Sequence, residues 1–166
     1  LANIRSADNA VTDGADSVTV EDSAQNLVNA STAPEIVALS NAESINVTGD
    51  ATVDQINTLT TVRGFSNVGT YSLSDSAAKL VAGGDIVANA DSAAVAGTPT
   101  LTVAQYDEVA AIAMVDAFSV EDSAANILAA GAGADALANA DSVAATDAEV
   151  TLDQATSLDA LGLDVD

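Results

Sequence analysis

The reactive side chains of this sequence are almost all carboxylates. Its 166 residues hold 25 Asp and Glu against three cations, Arg5, Arg63 and Lys79, for a formal net charge of -22, and there is no His and no Cys. Without imidazole or thiolate the chain cannot build a Ser-His-Asp triad, a Cys nucleophile or a transition-metal site on nitrogen or sulfur ligands. Two carboxylates can hydrolyse a glycosidic bond, but one of them must be an acid with a raised pKa, and no acidic pair stands apart from the pattern described below. Aromatic residues to stack a sugar ring are also scarce, with two Phe and two Tyr in the whole chain. Gly83 and Gly84, or Gly131 and Gly133, lack the spacing of a phosphate-binding loop, and no lysine follows them. The sequence reads as a non-enzyme.

One chemistry does suit carboxylates alone, which is the binding of a hard cation by oxygen. Asp85 and Asp91, and at equivalent places Asp135 and Asp141, stand in or beside Gly- and Asn-bearing stretches where carboxylates and carbonyls can converge on calcium. These four are the candidate metal ligands, and calcium is the cofactor they imply. The competing reading makes each one a solvated charge or a helix cap. Asp22, Asp75 and Asp122, each followed by Ser-Ala, read as caps.

The charge also limits the partners. Phosphate backbones and anionic membrane surfaces would be repelled, so nucleic acid is excluded. No run approaches the roughly 18 apolar residues of a spanning helix, so the chain reads as not membrane-spanning. Self-repulsion at this density opposes a compact state unless salt screens it, and a salty or calcium-bearing cell exterior supplies that screening. The opening "LANIRSADNAV" has neither the basic start nor the apolar stretch of a signal peptide, and the chain is expected to be a piece of something longer.

Elements that could position these side chains emerge from an internal repeat. "VEDSA" at 20–24 returns as "LSDSA" at 73–77 and as "VEDSA" at 120–124. Two further markers keep the same order: "NAES" at 41–44 with "NADS" at 89–92 and 139–142, and "TVDQ" at 52–55 with "TVAQ" at 102–105 and "TLDQ" at 151–154. Residues 17–67, 68–116 and 117–166 are therefore three copies of one unit, and 1–16 reads as a partial or capping repeat.

Hydrophobic periodicity switches in a fixed order inside each copy. Val18 and Val20, Tyr71 and Leu73, and Phe118 and Val120 alternate with polar residues, as in a half-buried strand. Asp-Ser then supplies N-cap chemistry, and Ala24, Leu27 and Val28, with their counterparts Ala77, Leu80, Val81 and Ala124, Ile127, Leu128, give the stripe of a short helix. A second strand is expected through Ile45 and Val47, Ala93 and Val95, and Val143 and Ala145. Thr52 with Gln55, Thr102 with Gln105 and Thr151 with Gln154 each fit the capping box of a second helix. Its apolar stripes are Val53, Ile56, Leu59; Val103, Tyr106, Val109; and Leu152, Ala155, Leu158, Leu161. "VAGGD" at 81–85 and "AAGAGAD" at 129–135 read as loops between first helix and second strand.

Strand, helix, strand, helix in about 50 residues means about 25 residues per coil, within the range of β/α repeat proteins. The expected fold class is α/β: a single repetitive β/α solenoid domain over 1–166, parallel strands on one side and short helices on the other. Ala, Val, Leu and Ile fill the seam, and Tyr71 and Phe118, equivalent to Val18, read as core.

"YSLSDSAAKLVA", "ANADSAAVAGT" and "LTVAQYDEVAAI" resemble the repeats of large, acidic, cysteine-poor bacterial proteins of type I secretion, including RTX-type adhesins and surface-layer-like proteins. The resemblance implies an extracellular or bacterial cell-surface location and calcium. It departs from the RTX pattern in one respect. Only "AGAGADALA" at 130–138 approaches the tandem G-G-x-G-x-D nonapeptide, with Ala130 in place of its first Gly. The expected function is a non-catalytic structural module, a stiff spacer or self-assembling lattice or filament segment. Its partners would be like repeats or copies of itself end to end. The alternative is an adhesin-type module that grips a cell-surface protein or glycan.

Overall fold

The computed structural model of the chain describes residues 18–131 and 133–162; the expected partial repeat at 1–16 lies outside them. Secondary structure alternates in short pieces. In order these are β1 (Thr19–Ser23), α1 (Ala24–Asn29), α2 (Ala33–Asn41), β2 (Ser44–Thr48), β3 (Asp50–Ala51) and α3 (Val53–Asn57), which continues as a π-helical turn, Thr58–Val62. Then follow β4 (Ser72–Asp75), α4 (Ala77–Ala82), α5 (Asp85–Ala88), β5 (Ser92–Val95), β6 (Thr100–Leu101) and α6 (Val103–Ala110). The last are β7 (Ser119–Asp122), α7 (Ala124–Ala130), α8 (Asp135–Asn139), β8 (Ser142–Ala145) and α9 (Leu152–Ala160). The result is a mixed α/β protein with small sheets, whose order is β1-β2, β3-β4-β5 and β6-β7-β8.

The expected first strands are β1, β4 and β7, and the expected second strands are β2, β5 and β8. All three capping boxes form: Thr52, Thr102 and Thr151 each accept from the backbone N–H of the Gln three residues on, and each Gln side chain reaches back to the Thr backbone. Ser23 and Ser123 cap α1 and α7 by accepting from the Asn26 and Asn126 N–H groups.

One expectation is corrected. The stretches read as loops at 81–85 and 129–135 are joints between two helices, and Asp85 and Asp135 are the first residues of α5 and α8. The glycines make the joint: Gly84 (φ 51°) and Gly131 (φ 76°) adopt the left-handed backbone that an L side chain disfavours. Among the described residues each copy therefore holds three short helices.

The chain packs as two compact units, Leu1–Asp75 with Ala82–Ala93, and Ser76–Val81 with Ala94–Asp166. In the first, β1 and β2 pair in parallel with Val20 opposite Ile45, and Ile45 in turn bridges Val68 in parallel. That second step is tight. A Cβ on Gly69 would come within 2.3 Å of Ser44 Oγ and 2.7 Å of Asn46 Oδ1, so a larger residue there requires those two side chains to shift. Leu27, Leu39, Ile45, Ile56, Leu59 and Leu73 are buried in this unit. Arg63, one of the three cations, donates to the carbonyls of Val28 and Ala30, and so closes the C-terminal end of α1.

In the second unit β6 and β8 both pair in parallel with β7, placing Leu101 and Val143 on either side of Val120. Ala124, Ile127 and Leu158 form a buried cluster, with Leu128, Leu137, Val143, Val150 and Leu161 packed against it. Phe118 and Tyr106 stack with ring centroids 4.7 Å apart. Leu152 departs from its expected stripe and is 82% exposed.

Candidate functional site

The side chains with the most specific environments are the aspartates at the strand ends. Asp122, the last residue of β7, is buried, at 7% exposure, and uses both oxygens. Its Oδ1 accepts from Ser123 N at 2.8 Å and from Asn126 Nδ2 at 2.7 Å, while its Oδ2 accepts from Val103 N at 3.1 Å. Val103 is the first residue of α6, in the preceding copy. The carboxylate thus organises the turn into its own helix α7 and caps a helix that lies 19 residues earlier in the chain.

The arrangement recurs. Asp75 Oδ2 accepts from Val53 N, the first residue of α3, at 3.0 Å. Asp22 Oδ1 repeats both local bonds of Asp122, to Ser23 N at 2.8 Å and Asn26 Nδ2 at 2.7 Å. Asp147 Oδ2 accepts from Ala124 N, the first residue of α7. These bonds satisfy amides that a helix start leaves without partners and set negative charge at the positive end of the backbone dipoles.

Sequence reading identified Asp22, Asp75 and Asp122 as caps but not the helices that Asp75 and Asp122 reach across to. It missed Asp147 altogether. The local part had a signal, since Asn stands four residues after Asp in "DSAQN" and in "DSAAN". The crossing part had none, because the separation of carboxylate and amide follows from how one copy lies on the next.

Charge on Asp122 follows from these contacts. Burial pushes its pKa up, but the Asn126 amide and the N–H groups of Ser123 and Val103 outweigh that and hold the carboxyl below its ordinary range. Such a group stays ionised at neutral pH, which suits a hydrogen-bond acceptor rather than a general acid. Burial, with the Asp91 carboxylate second, raises the Tyr71 phenol, whose hydroxyl donates to Ile86 O at 2.7 Å.

The four candidate metal ligands occupy two kinds of position. Asp85 and Asp135 are exposed at the starts of α5 and α8, and Asn89 Nδ2 and Asn139 Nδ2 donate to their backbone carbonyls. Asp91 and Asp141 are exposed just before β5 and β8, held by backbone bonds from Asp91 N to Tyr71 O at 2.9 Å and from Asp141 N to Phe118 O at 2.8 Å. Among the described residues no group of three or more Asp or Glu is gathered to hold a metal ion.

Comparison with protein-family models, curated proteins and solved structures finds no match. The aspartate contacts are thus the main guide to function. Their chemistry is cohesive: each carboxylate closes one helix start and, at Asp75 and Asp122, ties one copy to the one before it.

Proposed function

We propose that this chain is a non-catalytic structural repeat module, a β/α solenoid segment that spaces or extends a protein at the bacterial cell surface. The observation that carries the reading is the tie between copies, Asp75 to Val53 and Asp122 to Val103. The side chains with the most specific environments are thereby spent on holding one copy against its neighbour, as a stacked array requires. Parallel pairing of β3 with β4 and of β6 with β7 supports the same reading, because both join one copy to the next.

Insertion of further copies of residues 68–116 tests it by solution X-ray scattering. Each copy supplies two coils, so the maximum dimension should rise by about 10 Å per insertion at the 4.7–4.9 Å spacing of paired strands. The cross-sectional radius should stay constant. A cross-section that grows with each insertion, or an inserted chain that no longer folds, would show a closed globular unit instead.

The surface location rests on charge and on the resemblance of the repeats to those of secreted bacterial proteins. A net charge of -22 disfavours the compact state where ions are dilute and is screened where they are abundant. The melting temperature should rise with sodium chloride. Because Asp85, Asp91, Asp135 and Asp141 are all solvent-exposed, calcium at matched ionic strength should raise it by the same amount. A further rise with calcium alone would make these carboxylates specific sites and the module a calcium-dependent one.

A further inference from the structure

Copy one ends differently from copy two. Helix α3 runs on into its π-helical turn, and the chain then folds back through Arg63, Phe65 and Asn67 before Val68 bridges Ile45. A π-helical turn is rare, and this one stands where the chain begins its return.

The return is held at each step. The Phe65 side chain is buried, and its N–H donates to Leu59 O at 3.1 Å. Arg63 donates from both terminal guanidinium nitrogens, to the carbonyls of Val28 and Ala30 at the end of α1. Asn67 Nδ2 donates to Leu39 O at 2.9 Å and to Ala42 O at 2.7 Å, at the end of α2. Ile45 N donates to Asn67 O at 2.8 Å, which fixes the return against β2. Two side chains thus close four carbonyls at helix ends, where the last C=O groups lack partners within the helix.

Copy two has no means to do the same. Its equivalent stretch, from the end of α6 to Phe118, reads Ala-Ile-Ala-Met-Val-Asp-Ala over 111–117. None of these side chains donates a hydrogen bond while the aspartate is ionised, so none can close the carbonyls at the ends of α4 and α5. Met114 does bridge Ala94, as Val68 bridges Ile45. The strand contact is common to both copies, and the side-chain ties belong to copy one.

We infer that residues 58–67 are a latch that lets copy one outlast copy two: partial unfolding opens copy two and leaves copy one folded. In a repeat array stability is close to a sum of each repeat's own stability and its contacts with neighbours, so ties made inside one repeat stay with that repeat. Segments with fewer ties then open first. A module that yields in this order keeps β1 and β2 paired, as a folded edge on which the rest re-forms.

Hydrogen exchange of the intact chain, read by mass spectrometry on peptic peptides at urea concentrations below the unfolding midpoint, is the test. In wild type, peptides from 24–57 should be protected about tenfold or more beyond those from 77–110. Arg63→Met keeps the apolar stem and removes the two-pronged donor, while Arg63→Lys keeps the charge without the fork. With the fold verified by circular dichroism, Arg63→Met should lower protection over 24–57 by about tenfold and leave 77–110 unchanged. Arg63→Lys and Asn67→Ala should lower it over the same stretch. A wild type whose two stretches exchange alike would overturn the inference. So would arginine variants that leave 24–57 unchanged, lower both stretches together, or both unfold the whole chain.

Discussion

Replacing Phe118 with alanine is expected to destabilise the protein by about 3–5 kcal/mol, the range for removing a buried Phe side chain. Phe118 is 1% exposed, and stacking on Tyr106 adds a contact that neither ring finds elsewhere in a chain with four aromatics. Among the described residues every other large, fully buried side chain is aliphatic. Urea unfolding followed by circular dichroism reads the effect. Phe118→Leu, which keeps most of the volume, should recover more than half of the loss. Equal losses in the two variants would mean that the ring acts through something other than packing.

Asp122→Ala should cost about 2–4 kcal/mol at neutral pH, because it strips the acceptor from two backbone N–H groups and from the Asn126 amide at a buried position. The effect carries a pH signature. The folded carboxyl titrates below its ordinary value of 3.8, so its contribution is fully present above that value. It declines as the pH falls from there through the lower pKa of the folded state. The stability difference between wild type and variant should therefore be flat from pH 7 to about pH 5 and shrink below about pH 4. Comparing the two proteins cancels the general relief of repulsion that acidification gives a chain of this charge. A difference that persists unchanged at low pH would mean that the carboxyl group does not act as an anion.

Strand positions and helix starts were legible because both are written locally. Val20, Leu73 and Val120 alternate with polar neighbours, and Thr-x-x-Gln places an acceptor and its reciprocal partner within one turn. The extra helices were harder to read. At four and five residues, α5 and α8 are too short to display a period. Helix α2 did carry a signature: Thr32, Pro34 and Glu35 are a capping residue, an early helix proline and the reciprocal acid, and Glu35 Oε2 accepts from Thr32 N at 3.0 Å. Leu152 shows the opposite limit. Its spacing fits a buried stripe, yet the side chain is 82% exposed, so spacing alone does not decide burial there.

The long-range ties between helix start and aspartate share one direction. Asp75 reaches back to Val53, Asp122 to Val103 and Asp147 to Ala124, so in these three bonds the acceptor lies later in the chain than the amide it satisfies. On the ribosome this sets an order of events. Helix α6 emerges with its first amide open, and the 19 residues that separate it from Asp122 take about 1–4 s to be made at 5–20 residues per second. Copies one and two are thus each finished by the synthesis of the copy that follows, and a chain arrested between α6 and Asp122 would leave the ribosome with that helix start unsealed.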